Sequence, residues 1–315
     1  MLTRNEFEVL DSLNANAHIS QRDIAHEKEL SVGSVNAAFK SLVSRGLVSD
    51  GALTQKGEDE LAQYKVDNAI ILAAGLSRRF APISYEQPKG LLTVRDEVLI
   101  ERQIKQLKEA GIEDIAVVVG YKKELFFYLE DKYDVDIVVN EEYATRNNNS
   151  SLKVAESLLG NTYVCSSDDY FIENPFKPYV WKAFYSAQYA EGPTEEWCME
   201  VGAGQRITGV TIGGDNAWYM IGHVYFDRAF SDHFVEVLEE EYDLPATAPK
   251  LWEQIYVDHI DEFDMRMKKY PSDYIFEFDS LDEVRKFDPY FLENINSKIF
   301  DNIEAVLKCD KNDVS

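Results

Sequence analysis

The sequence predicts a three-layer α/β protein in which a doubly wound, mostly parallel sheet is covered by helices on both faces and preceded by a small helical domain. From residue 67 onward, short apolar runs alternate with amphipathic segments, a pattern typical of a parallel sheet buried on both faces. Residues 1–66 contain helical patterns and a short hairpin without that alternation. We therefore expect two separable domains, residues 1–66 and residues 67–315.

The first domain is predicted to hold three helices, a hairpin and a last helix. Apolar residues recur at every third position from Phe7 to Leu13, which favours one buried helix face. Ser20 and Ser31 are typical N-caps of the next two helices. Residues 47–54 read LVSDGALT, two short strands about an Asp-Gly turn. This order resembles a winged helix-turn-helix domain of the kind found in MarR-like regulators.

The charge balance argues against strong nucleic-acid binding. The chain carries 32 Lys and Arg against 57 Asp and Glu, a net charge of -25. A winged helix presents its third helix to the major groove, yet residues 1–66 hold seven cations and ten anions, a net charge of -3. Phosphate contacts from Lys and Arg dominate DNA affinity. Two interpretations stay open for this domain: weak DNA binding, and dimerisation or contact with another partner, including a homodimer.

Cysteine spacing and hydropathy predict a cytoplasmic protein. Cys165, Cys198 and Cys309 lie far apart and form neither a metal-binding spacing nor a disulfide framework. The N-terminus lacks an apolar signal core, and no apolar run approaches the ~20 residues of a membrane span. We therefore expect reduced thiols and no membrane segment.

The second domain is predicted to place its chemistry at one edge of the sheet. The expected strands are residues 69–73, 115–119, 136–140 and 162–166, and the expected helices are residues 99–110, 123–133 and 150–159. A further helix is expected at residues 295–307. Ligands of parallel α/β sheets bind beyond the carboxyl ends of the strands. Functional residues should therefore follow Ala73, Val119, Asn140 and Ser167.

Small residues and cations follow the first predicted strand. Residues 72–80 read LAAGLSRRF, and Pro88 and Lys89 come next in the pattern. Small residues let backbone amides approach a phosphate, and the cations supply charge that an acidic chain otherwise lacks. A plain strand-to-helix turn with solvated cations is the alternative. The order of strand, small turn, Arg79 and Lys89 favours a nucleotide site.

This motif resembles the nucleotidyltransferase superfamily that includes sugar-1-phosphate uridylyltransferases and cytidylyltransferases. The signature of that superfamily is Leu-Ala-Ala-Gly-x-Gly-x-Arg followed by a distant lysine. Arg79 and Lys89 match it, and the resemblance implies that both bind the phosphates of the nucleotide. Ser77 stands where the signature has its second glycine, and a positive φ there would strain a serine.

Later segments are similar to bacterial CTP:phosphocholine cytidylyltransferases. They are residues 140–152, 167–170, 251–260 and 275–282, in the order of that family, and the match spans about residues 68–290. The resemblance implies that a phosphate monoester attacks the α-phosphorus of CTP and that pyrophosphate leaves. It also implies a set of nucleotide-binding residues: Leu72, Ala73, Ala74, Gly75, Tyr121, Asn140 and Ser150.

The residue types suit this chemistry, because the acceptor phosphate is itself the nucleophile and needs no catalytic Ser, Cys or His. In-line transfer needs positioning and charge neutralisation, commonly by Mg²⁺ held on carboxylates. Asp168 and Asp258 match the two metal-binding aspartates of the family. A helix cap or an ordinary surface acid is the alternative for each. We expect Arg79, Lys89 and Asp168 to be catalytic, with Mg²⁺ at Asp168 and Asp258.

Aromatic and acidic residues in the next section predict the acceptor pocket. Glu195, Trp197, Trp218 and Tyr225 combine negative charge with π faces, which suits a quaternary ammonium group. Buried strands show a similar alternation of aromatic residues, so core positions are the alternative for the tryptophans.

The sequence therefore predicts a magnesium-dependent cytidylyltransferase that makes CDP-choline from CTP and phosphocholine. Phosphoethanolamine, 2-aminoethylphosphonate and a sugar 1-phosphate are alternative acceptors. A transcriptional regulator that uses the same fold to sense a ligand is an alternative of another class. The presence of Arg79, Lys89 and Asp168 together favours catalysis. The choice between CTP and UTP stays open.

Overall fold

The structure, a computed structural model, describes residues 1–278, 280–294 and 297–299. The predicted helix at residues 295–307 and Cys309 lie outside the described residues, apart from residues 297–299. The chain forms two compact units. The first contains residues 1–66 and 177–181, and the second contains residues 67–176 and the chain from residue 182 onward.

The first unit has the predicted winged-helix order. Its elements are α1 Arg4–Ala15, α2 Gln21–Glu27, α3 Val32–Ser44, β1 Val48–Ser49, β2 Ala52–Leu53 and α4 Gln55–Ala62. The side chains of Ser20 and Ser31 accept hydrogen bonds from the first turns of α2 and α3, as their cap positions predict. Leu10, Ile24 and Val35 are fully buried where the helices meet.

A segment from much later in the chain completes this unit. Residues 177–181 lie alongside the end of the 1–66 stretch, where the Val180 N–H donates to the Tyr64 carbonyl at 2.9 Å. The Trp181 indole N–H donates to the Leu2 carbonyl at 3.0 Å. These residues fall within the predicted second domain, residues 67–315. Pairing across more than a hundred residues leaves no local pattern from which their place in the first unit could be predicted.

The second unit is built on a large mixed sheet. The strands of the second unit are β3 Asn68–Ala73, β4 Thr93–Val94, β5 Glu97–Val98, β6 Ile115–Val119, β7 Asp136–Val139, β8 Thr162–Ser166, β9 Asp169–Phe171, β10 Phe184–Tyr189, β11 Pro193–Val201, β12 Ile207–Asp215, β13 Trp218–Phe226, β14 Arg266–Lys269 and β15 Ile275–Glu277. Its helices are α5 Leu99–Glu109, α6 Tyr128–Tyr133, α7 Asn149–Val154, α8 Arg228–Glu241, α9 Trp252–Asp258, α10 Leu281–Phe287 and α11 Phe291–Asn294.

The parallel part of this sheet confirms the predicted fold. The strand order is β12, β11, β13, β8, β3, β6, β7, and β8, β3, β6 and β7 run parallel to one another. Strand β13 joins β8 in the antiparallel sense and leads to β10 and β11. Strands β9 and β15 pair separately. Because β3, β7 and β8 are parallel, the residues that follow them meet at the same edge.

Apolar helix faces hold the sheet in place. The predicted stripe of α5, formed by Ile100, Ile104 and Leu107, is fully buried, and burying each such side chain contributes about 1.5–3 kcal/mol. Aromatic residues of α8 and α9, including Phe234 and Trp252, pack in the main core of the sheet. In the described part of the chain, no helix combines the length and hydropathy required to cross a bilayer.

A chain that starts at Val66 should be less soluble than the full chain. It keeps residues 177–181 but lacks the winged-helix core against which Tyr179 and Trp181 pack. We expect this truncation to elute as aggregates in size-exclusion chromatography. The same truncation with Tyr179→Ser and Trp181→Ser should elute as a defined species. Equal behaviour of the native truncation and the full chain would contradict the dependence of this segment on the first unit.

Candidate active site

A cationic cavity lies at the carboxyl ends of β3 and β8. Its volume is about 330 Å³, and its lining includes Arg78, Arg79, Lys89, Asp168 and Glu277. The Lys89 ammonium group forms an ion pair with the Asp168 carboxylate. It also donates to the Phe278 carbonyl at 2.6 Å. The structure thus brings together Arg79, Lys89 and Asp168, the residues that the sequence predicts to be catalytic.

Ser77 adopts the backbone conformation that the signature glycine implies. Its φ of 48° and ψ of 40° lie in the left-handed region, which costs a non-glycine residue about 1 kcal/mol. The Ser77 hydroxyl accepts a hydrogen bond from the Lys89 N–H at 3.4 Å. The serine therefore ties the first part of the loop to the lysine, an interaction that glycine could not make.

Gly90 allows the lysine and the aspartate to meet. A Cβ atom on Gly90 would lie 2.8 Å from the Cβ atom of Ser167, closer than side-chain atoms approach one another. The turn that carries Lys89 can therefore approach the turn that carries Asp168 only with glycine at this position. Gly90 is not among the predicted site residues, although it directly follows Pro88 and Lys89.

Asp169 differs from its neighbour Asp168 in its surroundings. It is 0% exposed, and its carboxylate oxygens have no hydrogen-bond partner among the described residues. Burial raises the pKa of Asp169 well above its ordinary range, and the nearby carboxylates of Glu277 and Asp168 raise it further. Asp168 lines the cavity, whereas Asp169 is enclosed in the interior.

A larger cavity of about 680 Å³ adjoins the cationic one and shares Leu72, Gly75 and Arg78 with it. Its other lining residues include Ala74, Asn140, Tyr143, Asn147, Asn148, Ser151 and Pro249. Five of the predicted nucleotide-binding residues line the two cavities: Leu72, Ala73, Ala74, Gly75 and Asn140. Their common position at the carboxyl end of β3 and β7 explains this placement.

Tyr121 and Ser150, also predicted to bind the nucleotide, line neither of these two cavities. The Tyr121 hydroxyl donates to the Ser84 carbonyl at 2.9 Å, so it holds the loop between Arg79 and Lys89. Ser150 is buried and its hydroxyl accepts from the Asn140 side chain at 2.9 Å. In this structure both residues support residues of the site.

The asparagine run at residues 147–149 holds one wall of the larger cavity. The Asn147 side chain donates to the Pro249 carbonyl at 3.0 Å, and the Asn149 side chain donates to the Thr247 carbonyl at 3.0 Å. Asn148 accepts from the Trp252 N–H at 2.7 Å. These bonds fix the loop between α8 and α9 against the start of α7.

Glu253, on the first turn of α9, joins this wall to the core. Its carboxylate accepts hydrogen bonds from the Asn148 amide at 3.2 Å and from the Tyr185 hydroxyl at 3.3 Å. Burial raises the pKa of Glu253 to about 7, and these hydrogen bonds only partly oppose that effect.

An acidic cavity of about 250 Å³ adjoins the cationic one, since Glu277 lines both. Its remaining lining comes from β10, β11, β13, α10 and the residues around β15, and includes Gln188, Glu196, Tyr219, Phe276 and Glu283. The Tyr219 hydroxyl donates to the Gln188 side chain at 3.1 Å. Carboxylates and aromatic rings therefore meet beside the cationic cavity.

The residues predicted for the acceptor pocket do not line this acidic cavity. Trp197 and Trp218 pack against the main core. Tyr225 is 0% exposed and lies in an aromatic cluster with Tyr163, at 5.2 Å between ring centroids. Glu195 is exposed. Glu196 and Tyr219, which directly neighbour Glu195, Trp197 and Trp218 along β11 and β13, line the cavity instead.

Asp258 does not join Asp168 in the structure. It lies at the last residue of α9, lines none of the three cavities and pairs with Lys250 at 2.7 Å. Among residues 1–278, 280–294 and 297–299, no cluster of three or more His, Cys, Asp or Glu side chains is arranged to hold a metal ion. Asp168 and Glu277 share the cationic cavity. Mg²⁺ commonly takes one or two protein carboxylates together with phosphate oxygens and water, and this pair fits that pattern.

Known proteins share both the sequence and the fold of the second unit. Residues 69–195 match the MobA-like NTP transferase domain model. A choline-phosphate cytidylyltransferase of Streptococcus pneumoniae is 34% identical over 228 residues, 72% of this chain and 99% of that protein. The chain belongs to the cytidylyltransferase family.

One further relative and one solved structure are similar to this cytidylyltransferase. A 2-aminoethylphosphonate cytidylyltransferase of Lancefieldella rimae is 34% identical over 225 residues, 70% of this chain and 92% of that protein. The solved structure of a CTP:phosphocholine cytidylyltransferase from Streptococcus pneumoniae matches with a TM-score of 0.68 and 34% identity. It covers 70% of this chain and 97% of that one.

Residues 2–49 match a winged helix-turn-helix DNA-binding model. In α3, the helix predicted to face DNA, the exposed positions include Val32, Ala37 and Val43, and Lys40 is the one charged residue in its sequence. DNA binding by this unit of the cytidylyltransferase stays a prediction, as does a homodimer.

Replacing Glu253 should change how stability depends on pH. Its pKa of about 7 in the folded protein exceeds its ordinary value of 4.5, so the folded state holds a proton that the unfolded state loses between these pH values. The free energy of unfolding should therefore fall as pH rises from about 4.5 to 7, by about 2 kcal/mol for this partly exposed side chain.

Glu253→Gln should remove that fall when urea denaturation is compared at pH 5 and pH 8. Glu240→Gln, at an exposed position of α8, controls for the loss of one negative charge. A Glu253→Gln protein whose stability changes with pH as much as the wild type would contradict the assignment.

Proposed function

We propose that this cytidylyltransferase transfers CMP from CTP to phosphocholine, giving CDP-choline and pyrophosphate. The observation that carries the proposal is the series of three adjoining cavities, of which the middle one is cationic and one end is acidic. The larger cavity would hold the nucleoside, the cationic cavity the triphosphate, and the acidic cavity the ammonium group of the acceptor. The names of both relatives support cytidylyl transfer, and that of the Streptococcus pneumoniae relative supports choline phosphate as the acceptor.

The chemistry needs no protein nucleophile. An oxygen of the acceptor phosphate would form a bond to the α-phosphorus of CTP, and the bond from that phosphorus to the pyrophosphate oxygen would break. Negative charge then grows on the leaving pyrophosphate. Arg78, Arg79 and Lys89 line the cavity where this charge would lie, and cations at that position stabilise the transition state.

Mg²⁺ is proposed as the cofactor, held by Asp168 and Glu277 in the cationic cavity. When bound, it would neutralise charge on the phosphate oxygens. The ion pair with Asp168 and the hydrogen bond to the Phe278 carbonyl keep the Lys89 ammonium group at this cavity. Lys89 would therefore orient the triphosphate by charge rather than by proton transfer.

A second acceptor, 2-aminoethylphosphonate, is favoured by the composition of the acidic cavity. Three glutamates, Glu196, Glu277 and Glu283, line it together with the Gln188 amide. A primary ammonium group donates three hydrogen bonds to such acceptors, whereas a quaternary ammonium group donates none and prefers aromatic faces. Tyr219 and Phe276 supply aromatic rings for the latter. The sugar of a sugar 1-phosphate offers these carboxylates hydroxyl donors but no positive charge.

Pyrophosphate release, measured with CTP and UTP against a panel of acceptors, tests the reaction. We expect the rate of pyrophosphate release from CTP to be higher with phosphocholine or 2-aminoethylphosphonate than with any sugar 1-phosphate.

Asp168→Asn should fold and lose at least ~100-fold in kcat, because it removes a charged contact to the reacting phosphates. Asp258→Asn is its matched comparison and should stay within a few-fold of the wild type. Equal losses in both variants would place Asp258 at the metal after all.

Glu196→Gln should raise the KM for a cationic acceptor by roughly 5- to 20-fold and leave the KM for CTP unchanged. The substitution removes one negative charge beside the ammonium group. A tenfold rise in KM corresponds to a loss of ~1.4 kcal/mol of binding free energy. Glu195→Gln, one residue away and outside the cavity, is the control and should change neither KM. A response of Glu195→Gln in place of Glu196→Gln would contradict the assignment of Glu196 to the acceptor.

A further inference from the structure

The turn that carries Asp168 is held by a side chain of α5. Gln103 is 0% exposed, and its amide nitrogen donates to the Ser166 carbonyl at 2.7 Å and to the Asp169 carbonyl at 2.9 Å. The two hydrogens of one nitrogen thus bridge the carbonyls on either side of residues 167 and 168. The turn is therefore closed across its open side by this single amide.

The strand after the turn needs such donors. Strand β9 pairs with β15 along one edge, and a strand in a two-stranded sheet leaves backbone groups unpaired along its other edge. Donors from α5 meet carbonyls of this segment: besides Gln103, the Arg102 guanidinium donates to the Phe171 carbonyl at 2.8 Å. A buried carbonyl without a donor would cost about 1–3 kcal/mol.

We propose that Gln103 is a positioning residue that fixes the Asp168 carboxylate at the cationic cavity. This inference rests on the proposed function, in which Asp168 meets the magnesium–triphosphate complex. The Gln103 amide donates to backbone carbonyls of the turn, so it would act on the substrate through Asp168. Displacements of about 1 Å in a charged contact of this kind cost up to 100-fold in rate.

Gln103→Met tests the proposal, because methionine has a similar length and no donor. Gln106→Met is the matched control on the same helix: Gln106 is also buried, and its amide donates at 3.5 Å to the Phe171 carbonyl, which Arg102 already satisfies. We expect Gln103→Met to lose roughly 10- to 100-fold in kcat and to require a higher Mg²⁺ concentration for its half-maximal rate. Gln106→Met should stay within about 2-fold of the wild type.

A readout without turnover separates this inference from the proposed function. The rise in Tm produced by CTP is measured with and without Mg²⁺. We expect the magnesium-dependent part of the rise to shrink in Gln103→Met and to persist in Gln106→Met. If the wild type transfers to no acceptor but this difference appears, the reaction is wrong and the positioning role stands. If both variants respond alike in rate and in Tm shift, Gln103 only packs the core and the proposal is overturned.

Discussion

The ion pair between Lys89 and Asp168 is the contact on which the site depends. The two residues come from turns more than 70 positions apart in the sequence, and each turn needs its own support to hold a charge at a cavity wall. Gly90 permits the close approach, the Ser77 hydroxyl accepts from the lysine backbone, and the Phe278 carbonyl takes a second bond from the ammonium group. Both turns lie at the same edge of the sheet, because β3 and β8 run parallel.

An acidic protein must concentrate its cations to bind a triphosphate. The chain carries a net charge of -25, so its overall field repels anions. Arg78, Arg79 and Lys89 gather along one cavity, and the carboxylates Asp168 and Glu277 face the same space. In the proposed reaction, these opposite charges would attract phosphates together with a divalent cation. Glu277 would then extend the site into the acidic cavity, where the ammonium group of the acceptor would bind.

The winged-helix unit depends on a segment from later in the chain. Its core is completed by residues 177–181, so the chain passes from one unit to the other between residues 66 and 67, between 176 and 177, and between 181 and 182. A backbone hydrogen bond from Val180 to Tyr64 and the Trp181 indole bond to Leu2 fix the later segment. A domain that borrows a segment in this way depends on the rest of the chain for part of its own core.

Local pattern alone determined the parallel strands, the winged-helix elements and the signature cations, since hydrophobic periodicity, N-caps and strand-end motifs are written in neighbouring residues. Local pattern also indicated backbone strain at Ser77, because serine stands there in place of the second glycine of the signature. Tertiary structure decided which residues of β11 and β13 line the acidic cavity: Glu196 and Tyr219 do, and Glu195, Trp197, Trp218 and Tyr225 do not. It also decided that Asp258 pairs with Lys250 and that Gln103 supports the turn of Asp168. These outcomes depend on sheet register and on contacts between distant segments, and no short stretch of sequence contains that information.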